Sequence, residues 1–177
     1  KSKGGTVEET GQVIKTGAKQ FKKASKARVD KLYNDLDKFI PKNIKNSSEA
    51  VKIRTDNLKL LGQDPAIQDV VEVGAGDTAK VLKRYAGLVD QRGSISYPRL
   101  KVFRSTVGRK VQSSSLPGDE REAIKQIYGA LSEDMKVAVQ AQGGERGLLA
   151  FNKANSAFAK QTEILEKTIN PLIKAKT

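Results

Sequence analysis

Neither cysteine nor histidine occurs among the 177 residues, and tryptophan is missing as well. Without cysteine there are no disulfides and no thiolate metal sites. Without histidine, imidazole acid–base chemistry and the commonest zinc ligand are gone too. No stretch approaches the roughly 20 apolar residues that cross a bilayer. Aromatic residues make up 5 % of the chain and hydrophobic ones 37 %, which suits an elongated helical body with thin cores better than a compact ball. The length allows one domain with a real core, or two small helical ones. The chain opens Lys1-Ser2-Lys3 with no Met and no apolar signal region, so the expectation is a piece of a longer protein.

Positive charge is abundant. Lys and Arg number 33 against 20 Asp and Glu, a formal +13, which attracts polyanions. Nucleic acid, an anionic membrane surface or an acidic protein partner would each suit. The plain alternative is a solvated surface whose neighbours in a complex are acidic.

Thr6-Val7-Glu8-Glu9 reads as a capping box, with the Thr6 hydroxyl accepting from the Glu9 amide while the Glu9 carboxylate reaches back. A long helix follows from it. Ile14, Ala18, Phe21, Ser25, Val29, Leu32, Leu36 and Ile40 recur at steps of three or four, one narrow stripe that Pro41 closes. The mean step of about 3.7 predicts a straight helix without strong supercoiling. Residues 43–76 read as a connector with short helices. There Asn46-Ser47-Ser48-Glu49 could cap a helix, Val51 and Ile53 alternate like an extended piece, and Thr55 or Asp56 starts a short helix. Asp64-Pro65 then reads as cap plus first helical residue.

Beyond Gly76 the signals sharpen. Asp77 is expected to cap a helix that Gly93 ends, and Ser96 the next, with Leu100, Phe103, Val107 and Val111 on one face. Asp119 starts a helix carrying Ile124, Ile127, Leu131 and Met135, ending at Gly143-Gly144. The last helix carries Leu148, Phe151, Phe158, Leu165 and Ile169 until Asn170-Pro171 breaks it. Short loops force antiparallel neighbours. The expected fold is all-α: a long basic helix (1–42), the connector (43–76), and an antiparallel bundle of about four helices (77–177).

Lys15, Lys19, Lys22 and Lys26 fall on one stripe of the first helix, about a right angle from the apolar one, with Lys23 beside them. Such a helix packs by one face and offers ammonium groups at about 5–6 Å steps to a phosphate backbone or an acidic partner. A solvated face is the competing account. Its stripe is too thin for a lone helix in water, so docking on neighbouring copies through Phe21, Leu32 and Leu36 is expected. Residues 93–112 hold Arg99, Lys101, Arg104, Arg109 and Lys110 without an acid. Those cations wrap around their helix, so pairing within the bundle with Asp119, Glu120 and Glu122 is expected.

The remaining candidates favour structure over chemistry. Gly74-Ala75-Gly76-Asp77 lacks the spacing of a phosphate-binding loop and follows no buried strand. The acid pairs Glu8/Glu9, Glu120/Glu122 and Glu133/Asp134 sit in polar helix starts or exposed turns, where the helix dipole accounts for them. Tyr97, Tyr128, Phe103, Phe151 and Phe158 lie on or near the apolar stripes as core. No residue set points to catalysis, a metal or a cofactor.

Ser96-Tyr97-Pro98-Arg99-Leu100-Lys101-Val102-Phe103-Arg104-Ser105-Thr106-Val107-Gly108, Ile127-Tyr128-Gly129-Ala130-Leu131-Ser132-Glu133-Asp134-Met135 and Ala150-Phe151-Asn152-Lys153-Ala154-Asn155 form a familiar pattern. Together they resemble a helical module of tailed-bacteriophage internal virion (DNA-ejection) or tail tape-measure proteins, over roughly residues 50–170. The matching positions are helix-packing ones: Gly108 and Ala130 let helices approach, while Asp134 and Asn155 cap or bridge. The resemblance implies a structural protein of the virion, inside the capsid or at the portal–tail channel. Many copies would assemble there with portal or tail proteins, close to DNA held by charge, and would leave with the genome for the host periplasm. Membrane contact on infection would follow. The alternative is a free-standing basic helical module that binds nucleic acid.

Overall fold

The computed structural model describes residues 6–41, 52–73, 76–113 and 115–175. The first helix, α1, spans Val7–Asp37 and starts on the expected capping box: the Glu9 amide donates to Thr6 Oγ1 at 3.2 Å, and the Thr6 amide donates to the Glu9 carboxylate at 3.0 Å. It ends one turn before Pro41, and Ile40 folds back into the core. The candidate cap at Asn46–Glu49, Val51 and the Gly74-Ala75 pair lie outside the described residues. Ile53 is extended as expected, in strand β1 (Lys52–Arg54). Helices α2 (Asp56–Gly62) and α3 (Pro65–Val73) follow, the latter opened by Asp64 Oδ1 accepting the Ala66 amide at 2.8 Å.

Helix α4 (Asp77–Leu88) leads through a turn into strand β2 (Ser94–Ser96), then α5 (Tyr97–Val111). The pairing of β1 with β2 was not legible in the sequence. They run antiparallel with Lys52 opposite Ser96, Ile53 opposite Ile95 and Arg54 opposite Ser94. Ile53 and Ile95 point inward, which gives so short a ladder its reason to form. Gly93 (φ +74°) makes the turn before β2, and the Asp90 carboxylate collects the Arg92 and Ser94 amides.

Helix α6 (Gly118–Ile164) is two arms, broken at Gly144, whose φ of +63° and ψ of −160° belong to a region only glycine occupies readily. Contacts between the arms step away from that break: Val139 meets Gly147, and the Tyr128 and Phe158 rings stack 4.7 Å apart. Farther out Lys125 pairs with Glu166 at 2.9 Å. Residues 118–143 and 145–164 therefore form an antiparallel hairpin, as Gly143-Gly144 predicts. The return arm does not stop at Asn170-Pro171. It widens into a π-helical turn (Leu165–Ile169) and re-enters α-helix as α7 (Asn170–Ala175), where Pro171 sits in a first turn that tolerates its missing N–H.

Residues 77–170 supply four helices as expected, α4, α5 and the two arms of α6, and α1 packs against the hairpin of α6 beside them. Helix α1 runs antiparallel to the return arm: Ala18 packs on Leu165 and Ile169, Gln161 Nε2 donates to Ser25 Oγ at 2.9 Å, and the Phe39 carbonyl reaches Gly143. Its docking is thus intramolecular. Leu36 is 0 % exposed inside the chain's own core, which leaves it no part in an intersubunit contact. Phe21 packs beside Leu165, and Leu32 is half-buried on the same helix. Of the three, Leu36 is core, while Phe21 and Leu32 keep part of their surface exposed. The stripe was thin because α1 needs to cover only one seam of a larger bundle.

Two capping expectations are met only in part: Ser96 stands at the N-cap of α5, whereas Asp77 does not cap α4. Asp77 lies inside α4, with Gly76 as N-cap, and its carboxylate pairs with Lys110 at 3.1 Å. The free amides of α4 are capped instead by Glu120 of the hairpin, which accepts from the Thr78 amide at 2.9 Å and from the Thr78 hydroxyl. A Cβ at Gly76 would fall on that carboxylate. Ser96 precedes α5 with its side chain making no cap bond. Asp134 does the corresponding work for α2, accepting from the Asn57 amide and Nδ2, each at 2.9 Å, and the Leu58 amide at 3.2 Å. Burial pushes the Asp134 carboxyl up, against the downward pull of these donors.

Candidate nucleic-acid interface

Stripe arithmetic puts the α1 lysines beside, not under, the apolar seam, and the fold keeps them there. Lys19, Lys23 and Lys26 are exposed, and Lys15 and Lys22 are half-buried. Lys19, Lys22, Lys23 and Lys26 line one groove with Gln112, Gln161 and Leu165, so the end of α5 and the return arm form its other wall. Lys15, one turn before Lys19, falls outside that lining. Lys26 pairs with Asp30 at 2.8 Å; among the described residues no carboxylate pairs with Lys19, Lys22 or Lys23.

Lys26, Gln112 and Gln161 also line a second cleft, about 360 Å³, between α1 and α5, so the two openings share these residues as a common wall. Its lining brings in Lys101, Arg104 and Arg109 from α5. The α5 cations were expected to pair with the acids at 119–122, and they do not. Lys101 pairs with Asp37 of α1, Lys110 with Asp77, and Arg109 Nη2 donates to Thr106 Oγ1 at 3.3 Å. Among those acids Glu120 is occupied as a helix cap.

Arg104 is the residue whose place the sequence reading missed. It is 4 % exposed at the centre of the bundle. Nε donates to Ser132 Oγ at 3.0 Å, and Nη2 donates to Tyr33 Oη at 3.0 Å and Asn155 Oδ1 at 2.6 Å, so one side chain ties α5 to α1 and both arms. The rings of Tyr33, Tyr128 and Phe151 surround the guanidinium, their centroids 5.1, 4.5 and 5.3 Å from Cζ. The signal was available: Arg104 follows Leu100 by four and precedes Val107 by three, on the buried face. Gly108, one turn on, leaves room for this cluster, since a Cβ there would lie 3.0 Å from Tyr128 and 3.2 Å from Phe158. Burial pushes the Tyr97 and Tyr128 hydroxyls far above the usual phenol range, so both stay neutral donors.

The other acids near these openings are committed: Asp37 to Lys101, and Glu166 to Arg121 and Lys125 at the foot of the hairpin. What remains is a run of ammonium and guanidinium groups along one side of the bundle, suited to a chain of phosphates. Among the described residues no group of acidic side chains is placed to hold a metal ion, and no helix is long and apolar enough to cross a membrane. No family model, curated protein or solved structure matches the chain.

Proposed function

We propose that this chain is a non-enzymatic structural module that lies against nucleic acid in a phage particle, gripping the phosphate backbone without reading sequence. The observation that carries the reading is the lysine groove, Lys19, Lys22, Lys23 and Lys26, next to the cleft lined by Lys101, Arg104 and Arg109. These lysines sit beside a seam that is locked in the core, so the helix backbone that carries them is fixed before any ligand arrives. Contacts of this kind position a protein on a duplex and carry no sequence information. The particle setting rests on the resemblance of 96–108, 127–135 and 150–155 to internal virion and tape-measure modules. On that reading the chain would lie near the portal–tail channel among further copies and portal or tail neighbours.

A free-standing basic module is the second reading, favoured by α1 closing its seam within one chain. Anisotropy titrations with labelled duplexes of unrelated sequence test the shared claim. The parent should bind all of them alike. Changing Lys19, Lys22, Lys23 and Lys26 together to Glu should weaken binding about tenfold or more at low salt, with an unchanged unfolding midpoint. Undiminished binding by that variant contradicts the proposal. Copy number in purified particles then separates the two settings: a virion component is recovered there at fixed stoichiometry, a free module is not.

A further inference from the structure

We propose that the cleft between α1 and α5 is a discrete oxyanion site, in which Arg104 takes a phosphate group from the floor while Lys101, Arg109 and Lys26 complete its surroundings. It deepens the reading above by separating one built site from the diffuse attraction of the lysine groove.

The argument starts from an incomplete charge balance. Taking a guanidinium out of water costs several kcal/mol unless it is paired and hydrogen-bonded. Arg104 is more than nine-tenths buried, yet its three acceptors, Ser132 Oγ, Tyr33 Oη and Asn155 Oδ1, are all neutral. Three aromatic faces offset part of the cost. Among the described residues no carboxylate pairs with it: Asp30, which lines the cleft, is held by Lys26 at 2.8 Å, and Asp37 by Lys101.

Nε and Nη2 make these three bonds, and the Tyr128 hydroxyl is a further neutral hydrogen-bond neighbour of the guanidinium. So held, Arg104 lines the floor of the cleft. It meets a space of about 360 Å³, room for on the order of a dozen waters. Of the four cations lining that space, Lys26 pairs with Asp30 and Lys101 with Asp37, which leaves Arg104 and Arg109 without an ion pair among the described residues, and Asn34, Ser105, Gln112 and Gln161 add neutral hydrogen-bonding groups. A tetrahedral oxyanion that meets Arg104 and the rim cations brings the missing counter-charge. Free phosphate and a backbone phosphate of nucleic acid present the same chemistry.

The side-chain Nε–H resonance of Arg104, assigned by its loss in Arg104→Lys, reads the site directly in the full chain. Inorganic phosphate titrated at constant ionic strength against chloride should move it saturably in the millimolar range. Arg109→Gln, at an exposed position, should weaken that response several-fold while the fold survives, which keeps the test valid if Arg104→Lys does not fold. A duplex that moves the same resonance and is displaced by phosphate shows that backbone phosphates enter the cleft. A response to phosphate but not to duplex supports the site with free phosphate as its ligand. If neither probe moves the resonance, or if Arg109→Gln responds like the parent, the site is refuted and Arg104 is a structural tie only. Duplex binding through the lysine groove would then stand by itself.

Discussion

Phe103 and Phe158 occupy equivalent places on their apolar stripes and very different places in the fold. Phe103 is 2 % exposed, whereas Phe158 is half-buried at the edge of the α1–α5 cleft, stacked on Tyr128. Phe103→Ala should therefore cost about 3–5 kcal/mol. Phe158→Ala keeps part of its surface in water in both states and should cost roughly 1–2 kcal/mol. Chemical denaturation of both variants checks this, and equal costs would be the wrong outcome. Asp90 gives a pH test. Its bonds to the Ser94 and Arg92 amides and its pairing with Lys52 hold the carboxyl below 3.8 in the folded chain. A depressed folded pKa contributes stability that is present above 3.8 and lost as pH falls through the folded value. Asp90→Asn should flatten the acid limb of the stability profile, and an NMR titration of Asp90 should find its midpoint below 3.8.

Among elements, the hairpin of α6 and the two remote caps decide the arrangement. Gly144→Ala puts a Cβ on a backbone of φ +63° and ψ −160° and should cost about 1–3 kcal/mol by thermal melt. Asp134→Ala strips three donors of their acceptor at the start of α2 and should cost about 1–3 kcal/mol. Loss of amide protection would then be concentrated in 56–62. How much of this was legible follows the range of the signals. The Thr6–Glu9 box, the Gly143-Gly144 break and the Asp64-Pro65 start are written within four residues, and each reads correctly. The caps at Asp134 and Glu120 reach across 77 and 42 positions, so local reading assigns the starts of α2 and α4 to Thr55 or Asp56 and to Asp77 instead. The β1–β2 pairing and the partner of α1 are long-range for the same reason. The lysine stripe was legible because it depends only on helical period. Arg104 was passed over because a cation at a core position reads as surface until its three aromatic neighbours are known.

Taken together, the chain closes its own core. Leu36, Val29 and Ala18 are buried by the return arm and α5, so α1 needs no second copy to cover it. Sedimentation at micromolar concentration should give a monomer near 19.3 kDa. Replacing Leu36 with Asp should destabilise that monomer, whereas a purely intersubunit role would leave it stable. With the seam closed, the side of α1 carrying Lys19, Lys22, Lys23 and Lys26 is free to meet phosphates, and this is the claim on which the functional account turns. The slope of log affinity against log salt measures it most directly. Each phosphate contact contributes about −0.9 to that slope on duplex DNA. Changing the four lysines to Gln should make the slope shallower by about 3 to 4. A slope equal to that of the parent chain would show that the groove does not touch the backbone.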